Sequence, residues 1–142
     1  MRVLLVRHAR AGDRMTWVGD DALRPLDEKG RKQAKRLAKI LVELGATRLV
    51  SSPSVRCVQT FEPAVKHLGV PLEERTELAE GSSAEQVLAL LEDLGDSVPA
   101  LSTHGDVIAD LIGWDKKCKK GSIWVLELDG EDVRAETYLP PA

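Results

Sequence analysis

Two histidines each follow an apolar stretch that has the pattern of a buried strand. The chain opens with MRVLLVRHARAG, in which Arg7 and His8 come directly after the apolar run, and ALSTHGDVIADLI repeats the pattern at His104. In an open α/β sheet the ligand site lies beyond the carboxyl ends of the strands. A single histidine at such a position is more often structural than functional. Two at matching positions favour a site that uses both imidazoles.

A third segment, SSPSVR, adds an arginine to the same edge of the predicted sheet. We expect Ser52 to cap a helix whose first residue is Pro53, which places Arg56 within the first turns. The N-terminus of a helix binds anions, and a guanidinium adds a forked donor that suits phosphate. Together these residues predict a pocket for a dianionic phosphoryl group with an imidazole nucleophile inside it.

Two other kinds of site fit the residues less well. A zinc site lacks cysteine or carboxylate ligands at suitable spacing, and the charge of Arg7 would repel the cation. A serine hydrolase would need a G-x-S-x-G elbow, which the sequence lacks. Cys57 and Cys118 show no metal-binding spacing and are expected to be reduced thiols. We therefore expect neither a metal ion nor a cofactor.

Composition limits the classes of partner. The 142 residues are 43% hydrophobic and 30% charged, which predicts one folded domain over residues 1–142. A net charge of -3 and only 4% aromatic residues argue against binding to a nucleic acid polymer or an anionic membrane. No apolar stretch is long enough for a membrane span or a signal-peptide core, so we expect a cytoplasmic protein.

The hydrophobic patterns alternate between strands and helices. This alternation predicts a three-layer α/β/α sandwich with a largely parallel central sheet, closed by two strands, SIWVLEL and VRAETYL. Asp27 is expected to cap the first helix, which Gly45 ends. Pro63 is expected to kink or split the second helix. Ser82 and Glu85 have the spacing of a capping box at the start of the third.

Four segments, taken in order, resemble the histidine phosphatase superfamily, whose phosphoglycerate mutase-like fold also houses phosphoglycerate mutases. They are LLVRHA, RPLDEKGRKQA, SSPSVRCVQT and STHGDV, and they extend from the first strand to the fourth helix. The resemblance implies that His8 is the nucleophile and passes through a phosphohistidine intermediate. It implies that Arg7, Arg56 and His104 hold the phosphoryl oxygens. Because arginines supply the positive charge, this chemistry needs no metal.

Two departures from the family pattern bear on the substrate. The segment RHARAG replaces the R-H-G-E-T of the mutase-like branch, and with the short length and RPL it resembles the small SixA-like phosphohistidine phosphatases. The longer string RHARAGDRMTWVGDDALRPLDEKGRKQA resembles the C-terminal phosphatase domain of two-domain proteins that carry a Nudix hydrolase domain before it. We expect this chain to be a stand-alone relative of that phosphatase domain. The first resemblance implies a phosphohistidine protein as substrate, and the second a small nucleotide-like phosphate.

Several charged and aromatic residues near the predicted pocket are candidates for recognition of the substrate. Arg10 is two residues from the nucleophile, which favours a role in binding. Arg14, Arg24 and Trp17, in or near the same loop, could bind the substrate or form a solvated rim. The roles of Arg14 and of the basic run Lys116–Lys120 stay open. The candidates for substrate binding are Arg10, Ser52, Arg24 and Trp17.

The general acid is the least defined part of the site. Relatives that act on poor leaving groups place a carboxylic acid after the third strand, where EERTELAEGSS offers Glu77 and Glu80. Glu77 matches the family position better, and Glu80 could instead stabilise the dipole of the following helix. The third reading is that neither acts, because an imidazole leaving group makes little demand on an acid.

Two further functions compete with a phosphatase. A phosphoglycerate mutase-type transferase would need insertions that enclose a sugar phosphate, for which the chain has no room. A non-catalytic phosphate-binding module would be expected to have lost His8 or one of the arginines. We therefore expect an enzyme that acts as a monomer or weak homodimer on a phosphorylated small molecule or a phosphohistidine protein.

Overall fold

The computed structural model of the protein describes residues 1–141. One mixed sheet forms its centre, and four α-helices and two short 3-10 helices connect the strands. The strands are β1 (Arg2–Arg7), β2 (Arg48–Ser51), β3 (Leu72–Glu74), β4 (Pro99–Thr103), β5 (Ile123–Asp129) and β6 (Asp132–Leu139). The helices are α1 (Glu28–Glu43), α2 (Val55–Leu68), α3 (Ala84–Leu94) and α4 (Gly105–Ile112), and the 3-10 helices are Asp21–Leu23 and Thr76–Leu78.

The strand order is β3-β2-β4-β1-β5-β6. Strands β3, β2, β4 and β1 are parallel, whereas β5 and β6 run antiparallel at one edge. The carboxyl ends of β2, β4 and β1 therefore lie side by side, with β4 in the middle. The predicted α/β architecture with a largely parallel sheet is confirmed.

Helices cover both faces of the sheet because side chains along each strand alternate between the two faces. In β1, Val3 and Leu5 belong to the hydrophobic cluster that contains α3 and α4. Leu4 and Val6 belong to the cluster that contains α1 and α2. All four side chains are at most 1% exposed, so β1 is buried on both faces and its end is held firmly.

The predicted ends of α1 are confirmed. The side chain of Asp27 accepts a hydrogen bond from the backbone N–H of Gly30 at 2.7 Å. Gly45 has a φ of 83°, in the left-handed region that glycine adopts readily after a helix. With 16 residues, α1 is the longest helix. Within residues 1–141, no helix has the length and apolar character that crossing a bilayer requires.

The start of α2 differs from the prediction. Ser54 is the N-cap and Val55 the first helical residue, so Ser52 and Pro53 precede the helix. The N–H of Ser52 donates to Ser102 O at 2.9 Å, which keeps Ser52 aligned with the sheet. The helix is not split at Pro63, which lies within its single run of 14 residues.

The capping box of α3 lies one residue later than predicted. Ser83, not Ser82, is the N-cap, and its partner is Gln86 rather than Glu85. Both reciprocal hydrogen bonds are formed, from Gln86 N to Ser83 Oγ and from Ser83 N to Gln86 Oε1. Adjacent serines offer two alternative caps, and local sequence alone did not distinguish them.

Candidate active site

Three strand ends bring His8, Ser52 and His104 together. His8 follows β1, Ser52 follows β2 and His104 follows β4, and these strands are neighbours. The Oγ of Ser52 lies 2.9 Å from Nε2 of His104. The two imidazole rings are 5.6 Å apart between centroids and meet edge to face. The predicted pairing of two strand-end histidines is therefore present in the fold.

The environment of His8 keeps its imidazole neutral. Burial, with smaller contributions from the charges of Arg56, His104 and Arg7, lowers the pKa of His8 to about 3. Nδ1 lies 2.9 Å from the carbonyl oxygen of Ala9, which can only accept a hydrogen bond. The proton is therefore on Nδ1, and Nε2 carries the free lone pair that a nucleophile needs.

His104 is also neutral at physiological pH. Burial, followed by the charge of Arg56, lowers its pKa to about 4. Nη2 of Arg56 lies 3.4 Å from Nδ1 of His104, and a guanidinium can only donate. Nδ1 is thus the acceptor, and Nε2–H donates to the hydroxyl of Ser52.

Arg7 lies against the first residue of α4. Its Nη1 donates to the carbonyl oxygen of Cys118 at 2.7 Å. A Cβ at Gly105 would be 2.9 Å from Cζ of Arg7, so the guanidinium needs glycine at this position. The buried Nε of Arg7 has no hydrogen-bond partner among residues 1–141. A buried donor without a partner is costly unless a ligand satisfies it.

Arg56 is the largest fully buried side chain, with 1% exposure. Its Nη1 donates to the carbonyl oxygen of Asp21 at 2.8 Å. Its Nη2 lies 3.2 Å from a carboxylate oxygen of Asp21 and 3.4 Å from one of Glu80. Its Nε, like that of Arg7, is buried and has no partner within the described residues.

A pocket of about 540 Å³ opens beside these residues. Its inner wall contains Arg7, His8 and His104, and its loop side contains Arg14 and Arg24. The outer part extends along α4 and the segment that follows it. That part is lined by Ile108, Ala109, Ile112, Trp114, Lys116 and Lys120. Within the described chain, no three His, Cys, Asp or Glu side chains come close enough together to hold a metal ion.

The residues predicted to bind substrate fall into two groups. Arg24 lines the pocket and is only 4% exposed, and Ser52 lies behind it, bonded to His104. Arg10 and Trp17 are not among the residues that line it. The guanidinium of Arg10 lies 3.9 Å from Asp27, and the indole N–H of Trp17 donates to Asp20 O. The structure therefore brings Arg24 and Ser52 to the site, but not Arg10 or Trp17.

The two candidate acids are also placed differently. Glu77 pairs with Arg75 at 2.7 Å and is not among the residues lining the pocket. Hydrogen bonding to Arg75 lowers the pKa of Glu77 and directs its carboxylate towards that arginine. Glu80 lines the pocket and contacts Arg14 at 2.6 Å. The geometry thus favours Glu80, contrary to the preference for Glu77 drawn from the motif.

Sequence reasoning missed several residues of the site. No motif pointed to Asp21, which contacts Arg56 across 35 residues of chain. Asp106 accepts from the N–H of Gly81 at 2.8 Å and so ties the turn after Glu80 to α4. The position of Asp106 two residues after His104 was an available signal. No local pattern indicated the wall formed by Trp114.

Comparison with known proteins identifies the family. A profile of the histidine phosphatase superfamily (branch 1) matches residues 3–87. An 8-oxo-(d)GTP phosphatase of Mycolicibacterium smegmatis is 41% identical over an alignment of 155 positions, gaps included. The alignment covers 98% of this chain. The match covers 48% of that relative, so the chain spans about half its length.

Solved structures share the fold. The protein histidine phosphatase SixA complexed with tungstate has a TM-score of 0.83 at 24% identity, over 99% of this chain and 97% of that one. A mycobacterial glucosyl-3-phosphoglycerate phosphatase in complex with inorganic phosphate has a TM-score of 0.70 at 17% identity, over 94% of this chain and 93% of that one. The predicted phosphoglycerate mutase-like fold and the predicted family are confirmed. The chain belongs to the histidine phosphatase superfamily.

Proposed function

We propose that the chain is a phosphatase in which Nε2 of His8 takes the phosphoryl group from substrate and then gives it to water. The carrying observation is a pair of buried guanidinium Nε–H donors, on Arg7 and Arg56, that lack partners within residues 1–141. Arg7 lines the pocket together with the two neutral imidazoles, and Arg56 lies behind it, 3.4 Å from His104. Phosphoryl transfer needs a positioned nucleophile and compensation for the charge on the phosphoryl oxygens, and this arrangement supplies both.

The reaction proceeds in two steps. In the first, the Nε2–P bond forms as the P–O bond to the leaving group breaks, and the leaving oxygen takes a proton. In the second, water attacks phosphorus as the Nε2–P bond breaks, and the proton that water loses returns to the group that protonated the leaving oxygen, which restores neutral His8. We assign the proton transfers to Glu80, because it lines the pocket with both histidines.

We propose a small nucleotide-like phosphate as the substrate. The pocket is larger than a phosphoryl group requires, and its outer part combines the apolar Ile108 and Ile112 with the exposed ring of Trp114. Lys116 and Lys120 add positive charge beside that surface. An aromatic base could stack on the indole while a further phosphate meets the lysines. The relative named as an 8-oxo-(d)GTP phosphatase supports this choice.

The test is release of phosphate from nucleoside mono-, di- and triphosphates, compared with p-nitrophenyl phosphate, in the presence of EDTA. We expect turnover of a nucleotide with kcat/KM well above that for p-nitrophenyl phosphate. Trp114→Ala should raise KM for the nucleotide and leave p-nitrophenyl phosphate unaffected. His67→Gln is the matched control, because His67 is exposed on α2 and does not line this pocket. Phosphate binding without turnover would contradict the proposal.

A phosphohistidine protein is the second candidate substrate. The loop before α1, which contributes Arg14 and Arg24 to the pocket, also exposes large apolar side chains, with Met15 88% exposed and Val18 89% exposed. Such a surface suits a protein partner better than a nucleotide. Faster dephosphorylation of a phosphohistidine protein than of any nucleotide, lost in Met15→Ser with Val18→Ser, would favour this substrate.

The compartment and the oligomeric state are separate proposals. We propose a cytoplasmic enzyme, in keeping with free thiols at Cys57 and Cys118. We also propose a monomer or weak homodimer. Light scattering over a range of protein concentrations tests the latter, and a stable larger assembly would contradict it.

A further inference from the structure

Asp21 is the first residue of the 3-10 helix between β1 and α1, and its carboxylate lies among three guanidiniums. One oxygen accepts from Nε of Arg24 at 2.9 Å. The other lies 3.2 Å from Nη2 of Arg56 and 3.4 Å from Nη2 of Arg14. The hydrogen bond from Arg24, together with the charges of Arg56 and Arg14, lowers the pKa of Asp21, so it is ionised at neutral pH.

Both the side chain and the backbone of Asp21 hold Arg56. While the carboxylate meets Nη2, the carbonyl oxygen accepts from Nη1 at 2.8 Å. Arg56 is 1% exposed and Arg24 4% exposed, so neither guanidinium can turn towards bulk water for other partners. The second anchor of Arg24 is the carbonyl oxygen of Ala11, three residues after His8. Asp21 therefore links two buried arginines to the segment that carries the nucleophile.

Asp21 and Glu80 differ in how firmly they are held. Glu80 contacts Arg56 only through its carboxylate, at 3.4 Å, whereas Asp21 also holds Arg56 through its backbone carbonyl and lies in a 3-10 helix that Asp20 caps. An arriving phosphoryl dianion would compete with both carboxylates for Arg56. A bound anion can replace the 3.4 Å contact of Glu80 with Arg56 while Glu80 keeps its 2.6 Å hydrogen bond to Arg14, but Asp21 would remain close to the bound anion. Its negative charge would then weaken ground-state binding while its contacts keep Arg56 in place.

We propose that Asp21 is a positioning residue, which orients the guanidinium of Arg56 for the transferring phosphoryl group at the expense of affinity for free phosphate. This inference rests on the proposed phosphatase function. It predicts that Asp21 stabilises the transition state through Arg56 but weakens the binding of phosphate in the ground state. A residue that only stabilised the loop would weaken both together.

The test compares Asp21→Asn with Asp20→Asn. Asparagine matches aspartate in shape and can still accept from Arg24, but its amide N–H groups would face the N–H groups of Arg56 and Arg14. Asp20 is the matched control, because its side chain caps the helix through Ala22 N and asparagine is also a good N-cap. The readouts are kcat/KM for p-nitrophenyl phosphate, inhibition by inorganic phosphate, and the melting temperature of each variant.

For Asp21→Asn we expect kcat/KM to fall by roughly tenfold to a hundredfold, while phosphate inhibits as strongly as in the wild type or more strongly. Asp20→Asn should retain wild-type values of both. Unchanged kcat/KM in Asp21→Asn, or phosphate inhibition that weakens in parallel with kcat/KM, would overturn the positioning role alone. Absence of turnover in the wild type would overturn the proposed function and this inference with it.

Discussion

His8, Ser52 and His104 follow three neighbouring strands directly, whereas Arg14, Asp21 and Arg24 belong to the loop between β1 and α1. The first group is fixed by the backbone of a sheet whose core strands are buried on both faces. The second group is fixed by ion pairs between distant parts of the chain, such as Arg14 with Glu80. In the proposed mechanism the strand ends supply the reacting atoms, and the arginines and aspartate of the loop orient the charges around them.

The largest effect should come from the strand-end group. His8→Gln removes the nucleophilic Nε2 and should lower kcat/KM by roughly four orders of magnitude or more. The side chain is 5% exposed, so glutamine is preferred to alanine because it leaves a smaller cavity. Phosphate release from p-nitrophenyl phosphate measures the loss, and a melting curve verifies folding. A folded variant with substantial activity would remove His8 from the mechanism.

Arg56 connects the two groups, and the next effect is expected there. Arg56→Lys retains the charge but cannot donate at once to Asp21 and to an incoming phosphoryl group, as the planar guanidinium can. We expect kcat to fall by about 10²–10³. Arg10→Lys is the control, since the side chain of Arg10 is half exposed and lies 3.9 Å from Asp27, and it should change kcat by less than about twofold. Near-normal activity of Arg56→Lys would place phosphate binding elsewhere.

The two glutamates sharpen the contrast, since they lie three residues apart. Glu80→Gln should slow an alkyl phosphate by about 10² or more, because its alkoxide must be protonated as it leaves. It should slow p-nitrophenyl phosphate far less, because that phenolate leaves unaided. Glu77→Gln should change neither rate by more than about twofold. Equal slowing of both substrates by Glu80→Gln would mean that Glu80 supports the site without donating a proton.

The smallest effect concerns stability. His8 and His104 have pKa values lowered to about 3 and about 4, below the value near 6.5 expected when unfolded. As pH falls below 6.5 the unfolded chain binds protons that the folded chain does not. The contribution of these histidines to the free energy of unfolding is therefore fully present above pH 6.5 and decreases on acidification. The decrease between pH 8 and pH 5 is about 2 kcal/mol per histidine.

Urea unfolding at pH 8 and pH 5 measures this loss. In His8→Gln the difference in the free energy of unfolding between pH 8 and pH 5 should be smaller by the contribution of one histidine, about 2 kcal/mol. His67→Gln should retain the wild-type dependence, because His67 is exposed on α2. An unchanged dependence in His8→Gln would show that His8 is accessible to protons in the folded protein.

The strand-end residues could be predicted because their signal is local. An apolar run indicates a buried strand, and the residue after it must lie at the edge of the sheet. The loop group has no such signal, since Asp21 and Arg56 are 35 residues apart and Arg14 and Glu80 are 66 apart. Contacts of this kind form between segments that only the complete fold brings together, so the spacing of residues within a motif does not predict them.

Local ambiguity explains the remaining differences. Successive serines in SSPS and SSAEQ offer several N-caps, and the correct ones, Ser54 and Ser83, depend on what the other hydroxyls contact. Ser52 is bonded to His104 and so belongs to the site rather than to the start of α2. Glu77 matched a motif position, but it lies in a 3-10 helix where Arg75 pairs with it at 2.7 Å.

The most direct test is to trap the covalent intermediate. Enzyme mixed with 32P-labelled substrate and quenched in base within milliseconds should carry one acid-labile, base-stable phosphoryl group, and peptide mass spectrometry should locate it on His8. His8→Gln treated in the same way should carry none. A phosphoryl group on His104, a serine or a cysteine, or rapid turnover with no adduct at any time point, would contradict the assignment of His8 as the nucleophile.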